Sequence, residues 1–90
     1  RWLHRRMKEV VYSKTAQKSL LRIPRNWAIR IRDKINAYAA DPTSQANNVK
    51  ALQGYEGMLR LRVGDWRVTM VDGTVIEIID IKARGSAYKE

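Results

Sequence analysis

The chain has no cysteine and no phenylalanine, one histidine, two prolines, and nine acidic residues against eighteen lysines and arginines. Each scarcity removes something. Without cysteine there is no disulfide framework, no thiolate metal site and no cysteine nucleophile. A reducing compartment suits such a chain, and a cytoplasmic location is expected. The one histidine, His4, lies in the first six residues, so a paired-histidine acid–base mechanism is not available. No apolar run approaches the length of a membrane span, and no signal-type apolar core follows the basic N-terminus. No membrane association is expected.

What is present is positive charge, +9 over 90 residues. That balance implies a polyanionic partner. Its distribution is uneven. Residues 1–54 hold twelve lysines and arginines against Glu9, Asp33 and Asp41, whereas residues 55–90 hold six cations and six acids. The first part supplies the long-range field, and the second places a few cations at particular strand positions. Ninety residues make one domain with one thin core. Residues 1–6 read as a flexible basic extension ahead of Met7, and residues 7–90 as the domain.

Glu9-Val10-Val11-Tyr12 is β-branched and aromatic and predicts a short strand. Ser13 is a good N-cap for a helix over about 15–23, stopped by Pro24. A second helix is expected over 25–40, with Trp27, Ile31, Ile35 and Tyr38 along one stripe and Arg30, Arg32, Asp33 and Lys34 on the other face. Asp41-Pro42 ends it. A polar connection follows, in which Val49-Lys50-Ala51-Leu52 forms a short strand or tucks against the core. Three strands are then expected, at about 58–63, 66–71 and 74–81. Asp72-Gly73 reads as a two-residue turn that pairs Val71 with Thr74. This register puts Val75, Ile79 and Ile81 on the core face and Ile76, Ile78 and Asp80 on the other, and it leaves Glu77 without an account. The fold class is α+β, a small antiparallel sheet with two helices packed on one face in the order β-α-α-β-β-β.

The segment Met58 to Met70 alternates its side chains around Gly64-Asp65. A two-residue turn there sets Arg62 opposite Arg67 and Val63 opposite Trp66. Arg60, Arg62, Arg67 and Thr69 then share one face and Leu59, Leu61, Val63, Trp66, Val68 and Met70 the other. Like charges directly opposite one another destabilise a sheet. A hairpin that keeps three arginines together does so for an anion, and phosphate matches the guanidinium fork. Arg84 and Tyr88, in the tail after the last strand, can reach the same face. So can Lys82. The bland alternatives are that Arg67 pairs with Asp80 or Asp65, and that Trp27, Trp66 and Tyr38 are core residues and not base-stacking platforms.

RNA cleavage by 2′-hydroxyl attack needs a base, a stabiliser of the phosphorane and an acid for the leaving 5′-oxygen. Arg60, Arg62, Arg67, Lys82, Arg84 and Tyr88 can stabilise a phosphorane but are weak acid–base groups unless crowding lowers their pKa values. Such an enzyme depends on a partner that presents the RNA in geometry.

Leu61-Arg62-Val63-Gly64-Asp65-Trp66-Arg67-Val68, the Asp72-Gly73 turn, the apolar last strand and Lys82-Ala83-Arg84-Gly85-Ser86-Ala87-Tyr88-Lys89 resemble the RelE/ParE toxin superfamily. So does Lys50-Ala51-Leu52-Gln53-Gly54 ahead of the hairpin. The resemblance spans about residues 7–90. It implies a type II toxin–antitoxin toxin, in the RelE-like branch a ribosome-dependent mRNA endonuclease that works without metal or cofactor. The implied partners are the ribosome, mRNA and a cognate antitoxin, often acidic, that wraps the toxin. Carried over by position, Arg67 and Arg84 neutralise the scissile phosphate and Tyr88 stacks on a base or assists the 2′-hydroxyl. Arg60 and Arg62, with Lys82, hold the RNA backbone. The chain departs from the RelE pattern in its shorter hairpin turn, in arginines where lysines are common, and in Lys82-Ala83 where many members carry histidine. The alternatives within the resemblance are a ParE-like inhibitor of DNA gyrase and a degenerate toxin that only binds its antitoxin.

Overall fold

The computed structural model describes residues 7–54 and 56–84. The expected extension over residues 1–6 and the tail residue Tyr88 lie outside them. The chain forms β1 (Val10–Tyr12), α1 (Lys14–Arg22), α2 (Arg25–Ala40), a kinked 3₁₀ segment (Pro42–Asn48), β2 (Val49–Ala51), β3 (Met58–Val63), β4 (Trp66–Asp72) and β5 (Ile76–Ala83). The five strands make one sheet in the order β1-β5-β4-β3-β2. Val49-Lys50-Ala51 thus takes the strand alternative and closes the β3 edge.

Four strands meander antiparallel, and β1 adds to β5 in parallel. The sheet is therefore mixed. Its parallel edge follows from connectivity: the two helices intervene between β1 and the rest of the sheet, and a crossover of that kind is what parallel pairing needs.

Ser13 starts α1 as the sequence predicts. Its hydroxyl oxygen accepts from the Ala16 amide at 3.0 Å and its proton goes to the Ile79 carbonyl at 2.7 Å. One side chain thus caps a helix and ties that helix to the sheet. Both helices cover the same face. Ala16, Leu20, Ile23, Ile31, Ile35, Tyr38 and Ala39 meet Leu61, Val63, Val68, Met70, Ile76, Ile78 and Ile81 in one core, with Trp27 and Trp66 half-buried at its margin.

The β4–β5 connection corrects the expected register. β4 runs on to Asp72, the loop is Gly73 to Val75, and Asp72 faces Ile76, Val71 faces Glu77 and Met70 faces Ile78. The register shifts between Thr69 and Met70, so Thr69 faces Asp80 and Ile79 is the extra residue of a bulge. Ile76 and Ile78 are therefore fully buried, and Glu77 is exposed. Energetics decide between the two registers. A two-residue turn would leave two isoleucines on the outer face, at about 1.5–3 kcal/mol each, and turn Glu77 into the core. The bulge also explains why β5 reads as apolar on both faces: the alternation slips by one residue at Ile79.

Candidate nucleic-acid interface

The hairpin between β3 and β4 has the expected pairing, with Arg62 opposite Arg67 and Val63 opposite Trp66. Its turn is shaped by α2. Gly64 has φ +59°, and a Cβ there would lie 2.5 Å from the Trp27 ring. Glycine is required twice over, by the left-handed backbone and by the indole laid against it.

Opposed residues share a face, so the outer side of the sheet carries two rows, Lys50-Arg60-Thr69-Asp80 and Arg62-Arg67-Lys82. Each of the two opposed arginines, Arg62 and Arg67, is hydrogen-bonded to neutral acceptors. Arg67 donates to the carbonyls of Gly64 and Trp66, both at 3.2 Å. Arg62 makes a long hydrogen bond, 3.4 Å, to Asn48 Oδ1. Among the described residues no carboxylate pairs with either. Asp80 lies 4.0 Å from Lys82 instead, so the salt-bridged alternative for Arg67 does not hold here. A neutral acceptor orients an arginine without cancelling its charge.

One residue beyond β5, the Arg84 amide donates to the Asp65 carbonyl at 2.6 Å, which continues the β4–β5 pairing past Trp66 and Ala83. This bond brings Arg84 to the hairpin tip. The result is a groove of about 530 Å³ lined by Trp27, Arg30, Lys34, Asn48, Arg62, Val63, Gly64, Asp65, Arg67 and Arg84. Five of these are cations and one is an acid. A second depression, of about 430 Å³, shares Asn48, Arg62 and Arg67 and continues across the sheet to Lys50 and Arg60.

Of the residues singled out in the sequence, Arg62, Arg67 and Arg84 meet in the first groove, and Arg60 stands half-buried in the second. Lys82 is on the Arg67 row but lines neither. It borders a separate hollow with Trp66, Ser19 and Arg22. Tyr88 lies outside the described residues. Three groove residues were not singled out: Asn48, Arg30 and Lys34. Arg30 and Lys34 follow Trp27 by three and seven positions and so flank the edge of its stripe, but spacing alone does not show that this edge borders the hairpin; the packing of Trp27 on Gly64 does. Trp27 is core at one side and groove wall at the other.

At the far end of β4 is another polar cluster. Asp72 accepts from Lys8 Nζ and from the Tyr38 hydroxyl, both at 2.6 Å. Burial pushes the Tyr38 phenol up, and the Asp72 hydrogen bond and charge push it further, well above the ordinary value. Burial alone would raise Asp72, but the bonds from Lys8 and Tyr38 and the lysine charge outweigh it and hold its carboxyl low. This cluster joins the segment ahead of β1 to the end of α2 and the end of β4, and it lies away from the groove.

Chemically, the groove can bind a phosphodiester and stabilise charge that builds on it. Among the described residues no group of three His, Asp or Glu side chains is placed to hold a metal ion, and no helix is long and apolar enough to cross a membrane.

A family model, the ParE toxin of type II toxin–antitoxin system, parDE, matches residues 10–88. No curated protein sequence matches the chain. Among solved structures it is similar to the archaeal RelE–RelB complex from Pyrococcus horikoshii, at 26% identity and a TM-score of 0.75, over 89% of this chain and 98% of that one. It is also similar to the RelB–RelE antitoxin–toxin complex from Methanococcus jannaschii, at 28% identity and a TM-score of 0.66, over 87% and 94%. A mutant of the Escherichia coli toxin RelE in the free state shares the fold, with a TM-score of 0.74 at 14% identity over 92% and 88%.

Proposed function

This chain belongs to the ParE toxin family, within the RelE/ParE superfamily of type II toxin–antitoxin toxins, and from that premise we propose that it is a RelE-like, ribosome-dependent mRNA endonuclease. The observation that carries this reading is the arginine trio Arg62, Arg67 and Arg84 at one groove, with Arg62 and Arg67 held by neutral acceptors. A gyrase-binding surface does not need unneutralised arginines opposed across a hairpin, at a cost to the sheet.

In the proposed reaction the ribose 2′-hydroxyl loses its proton and its oxygen attacks the adjacent phosphorus in line. The bond to the 5′-oxygen breaks, giving a 2′,3′-cyclic phosphate and a 5′-hydroxyl that takes up a proton. Arg67 and Arg84 hold the scissile phosphate and stabilise the phosphorane, a preorganised electrostatic contribution. Arg62 and Arg60 hold the backbone on the outer face, with Lys82 further along the same row. Tyr88 stacks on a base or assists the 2′-hydroxyl. Arginine gives up a proton poorly, so the groove needs RNA already held in attack geometry. The ribosome supplies that constraint, and the site of action is then the cytoplasm. No metal or cofactor enters the scheme.

The partner that restrains the toxin is a cognate antitoxin with an acidic segment, in keeping with the +9 charge of this chain and with the relatives solved as RelE–RelB complexes.

The test is a reconstituted translation reaction on a defined mRNA, mapping 3′ ends. Cuts within the A-site codon only when ribosomes are present support the endonuclease. The second reading, gyrase inhibition, is favoured by the family model being that of ParE. It predicts intact mRNA and toxicity that survives Arg67→Ala. A degenerate toxin would leave both mRNA and growth untouched.

A further inference from the structure

The sheet provides only one side of the groove, and α2 provides the other. Arg30 and Lys34 face the cavity from the helix, across from Arg62 and Arg67 on the hairpin. Arg30 is not a loosely solvated cation. Its guanidinium carbon sits 5.0 Å from the centroid of the Trp27 ring, within the distance at which a cation is attracted by an aromatic face. Trp27 is in turn fixed by the core and by the turn at Gly64, whose missing side chain leaves room for the indole. The chain of placement runs from Gly64 through Trp27 to Arg30. No described carboxylate forms an ion pair with Arg30 or Lys34. Arg30 thus repeats the pattern of Arg62 and Arg67, an arginine oriented by a neutral group with its charge left over.

A groove with cations on both walls can track the backbone of a single strand that runs along it and meet more than one of its phosphates. We propose that Arg30 and Lys34 form a second phosphate-binding wall, which grips a phosphate of single-stranded RNA next to the one held by Arg62, Arg67 and Arg84, with Trp27 as the positioning residue for Arg30. This rests on the endonuclease reading of the same groove and adds two RNA-binding residues to it.

The test is the binding of a short fluorescent oligouridine by the full chain at several salt concentrations, with Arg30→Gln, Lys34→Gln, Arg30→Lys and Lys18→Gln. All three positions are exposed, and thermal melting confirms that each variant folds. Each lost phosphate contact lowers the slope of log K against log salt by about 0.7 for a single strand. Arg30→Gln and Lys34→Gln are each expected to show that drop. Arg30→Lys keeps the slope but binds several-fold more weakly, because an ammonium lacks the flat group that lies on the indole. Lys18→Gln, on the exposed side of α1, changes neither. Unchanged slopes in Arg30→Gln and Lys34→Gln, or an equal drop in Lys18→Gln, overturn the second wall. Ribosome-dependent cleavage by the same variants separates the two claims. Cleavage that still needs Arg67 while the slopes stay unchanged overturns the second wall alone. Cleavage absent from the wild-type chain overturns the endonuclease reading and the second wall with it.

Discussion

The Trp27 ring occupies the space that a side chain at Gly64 would need, and this contact sets the position of the β3–β4 turn against α2. Gly64→Ala is expected to destabilise the domain by about 2–4 kcal/mol. Part is the left-handed backbone, roughly 1–2 kcal/mol for a residue with a Cβ, and the rest is displacement of a ring 2.5 Å away. Urea denaturation should show a lower midpoint with an unchanged slope. In a double-mutant cycle with Trp27→Leu the costs should not add, since removing the indole removes the clash. Additive costs would mean that the contact does not set the turn.

Arg67 is anchored by two carbonyls of its own turn and by no ion pair with a described residue. Its loss should therefore cost less than about 1 kcal/mol in stability. For the proposed reaction it is central, and removal of a preorganised stabiliser of this kind costs about 10²–10³ in rate. Arg67→Ala should melt close to the wild-type temperature and lose ribosome-dependent cleavage by that factor. A variant that cleaves normally, or one that simply unfolds, would remove Arg67 from the proposed role.

Much of this site is legible in the sequence. The alternation around Gly64-Asp65 is strict enough to fix which residues oppose which, so the Arg62–Arg67 pair follows from a turn and a period of two. The β5 register is not legible in the same way, because a bulge is a tertiary compromise. Asp72-Gly73 is a strong local turn signal, and it loses to the burial of Ile76 and Ile78 together with the exposure of Glu77. Ser13 takes the Ile79 carbonyl at the bulge. The helix wall of the groove was hidden for another reason. Arg30 and Lys34 look like any solvated helix cations until the packing of Trp27 on Gly64 shows that this edge of α2 borders the hairpin.

Ser13 serves as a cap and as a tether at once, so Ser13→Ala should cost more than an ordinary cap. Loss of the cap is worth about 1 kcal/mol, and the freed Ile79 carbonyl adds about 1 kcal/mol or more if left unpaired. A total near 2 kcal/mol is expected from denaturant unfolding. Ser13→Thr, which keeps both hydrogen-bonding roles, should recover most of it. A cost below about 0.5 kcal/mol would show that water replaces the tether freely.

The cluster of Asp72 with Lys8 and Tyr38 shapes the pH profile of stability at both ends. The Asp72 carboxyl is held below its ordinary value, so its contribution is present above about pH 4 and is lost as the pH falls through the lower, folded value. The Tyr38 phenol is held above its ordinary value, so its contribution is complete below about pH 10 and declines as the pH rises further. Asp72→Asn should flatten the acid limb and weaken the alkaline one, since the tyrosinate would no longer meet a carboxylate. Tyr38→Phe should abolish this part of the alkaline decline. Denaturant unfolding across the pH range checks both, and an acid limb unchanged in Asp72→Asn would assign the loss to other carboxylates.

The Arg62–Arg67 pairing sets stability against function, and a single substitution can expose the conflict. Directly opposed like charges on adjacent strands cost about 0.2–1 kcal/mol. Arg62 recovers little of that through its 3.4 Å bond to Asn48. Arg62→Thr removes the repulsion and introduces a residue that suits a strand. It should therefore stabilise the fold by a few tenths of a kcal/mol up to about 1, which in a domain of this size raises the melting temperature by about 2–6 °C. The same change removes a phosphate ligand, so RNA binding and cleavage should fall. A variant that is both more stable and less active would show that the arginine is retained for an anion. A variant that is less stable would show that Arg62 is held for structural reasons, and the phosphate reading of the hairpin would lose its main physical support.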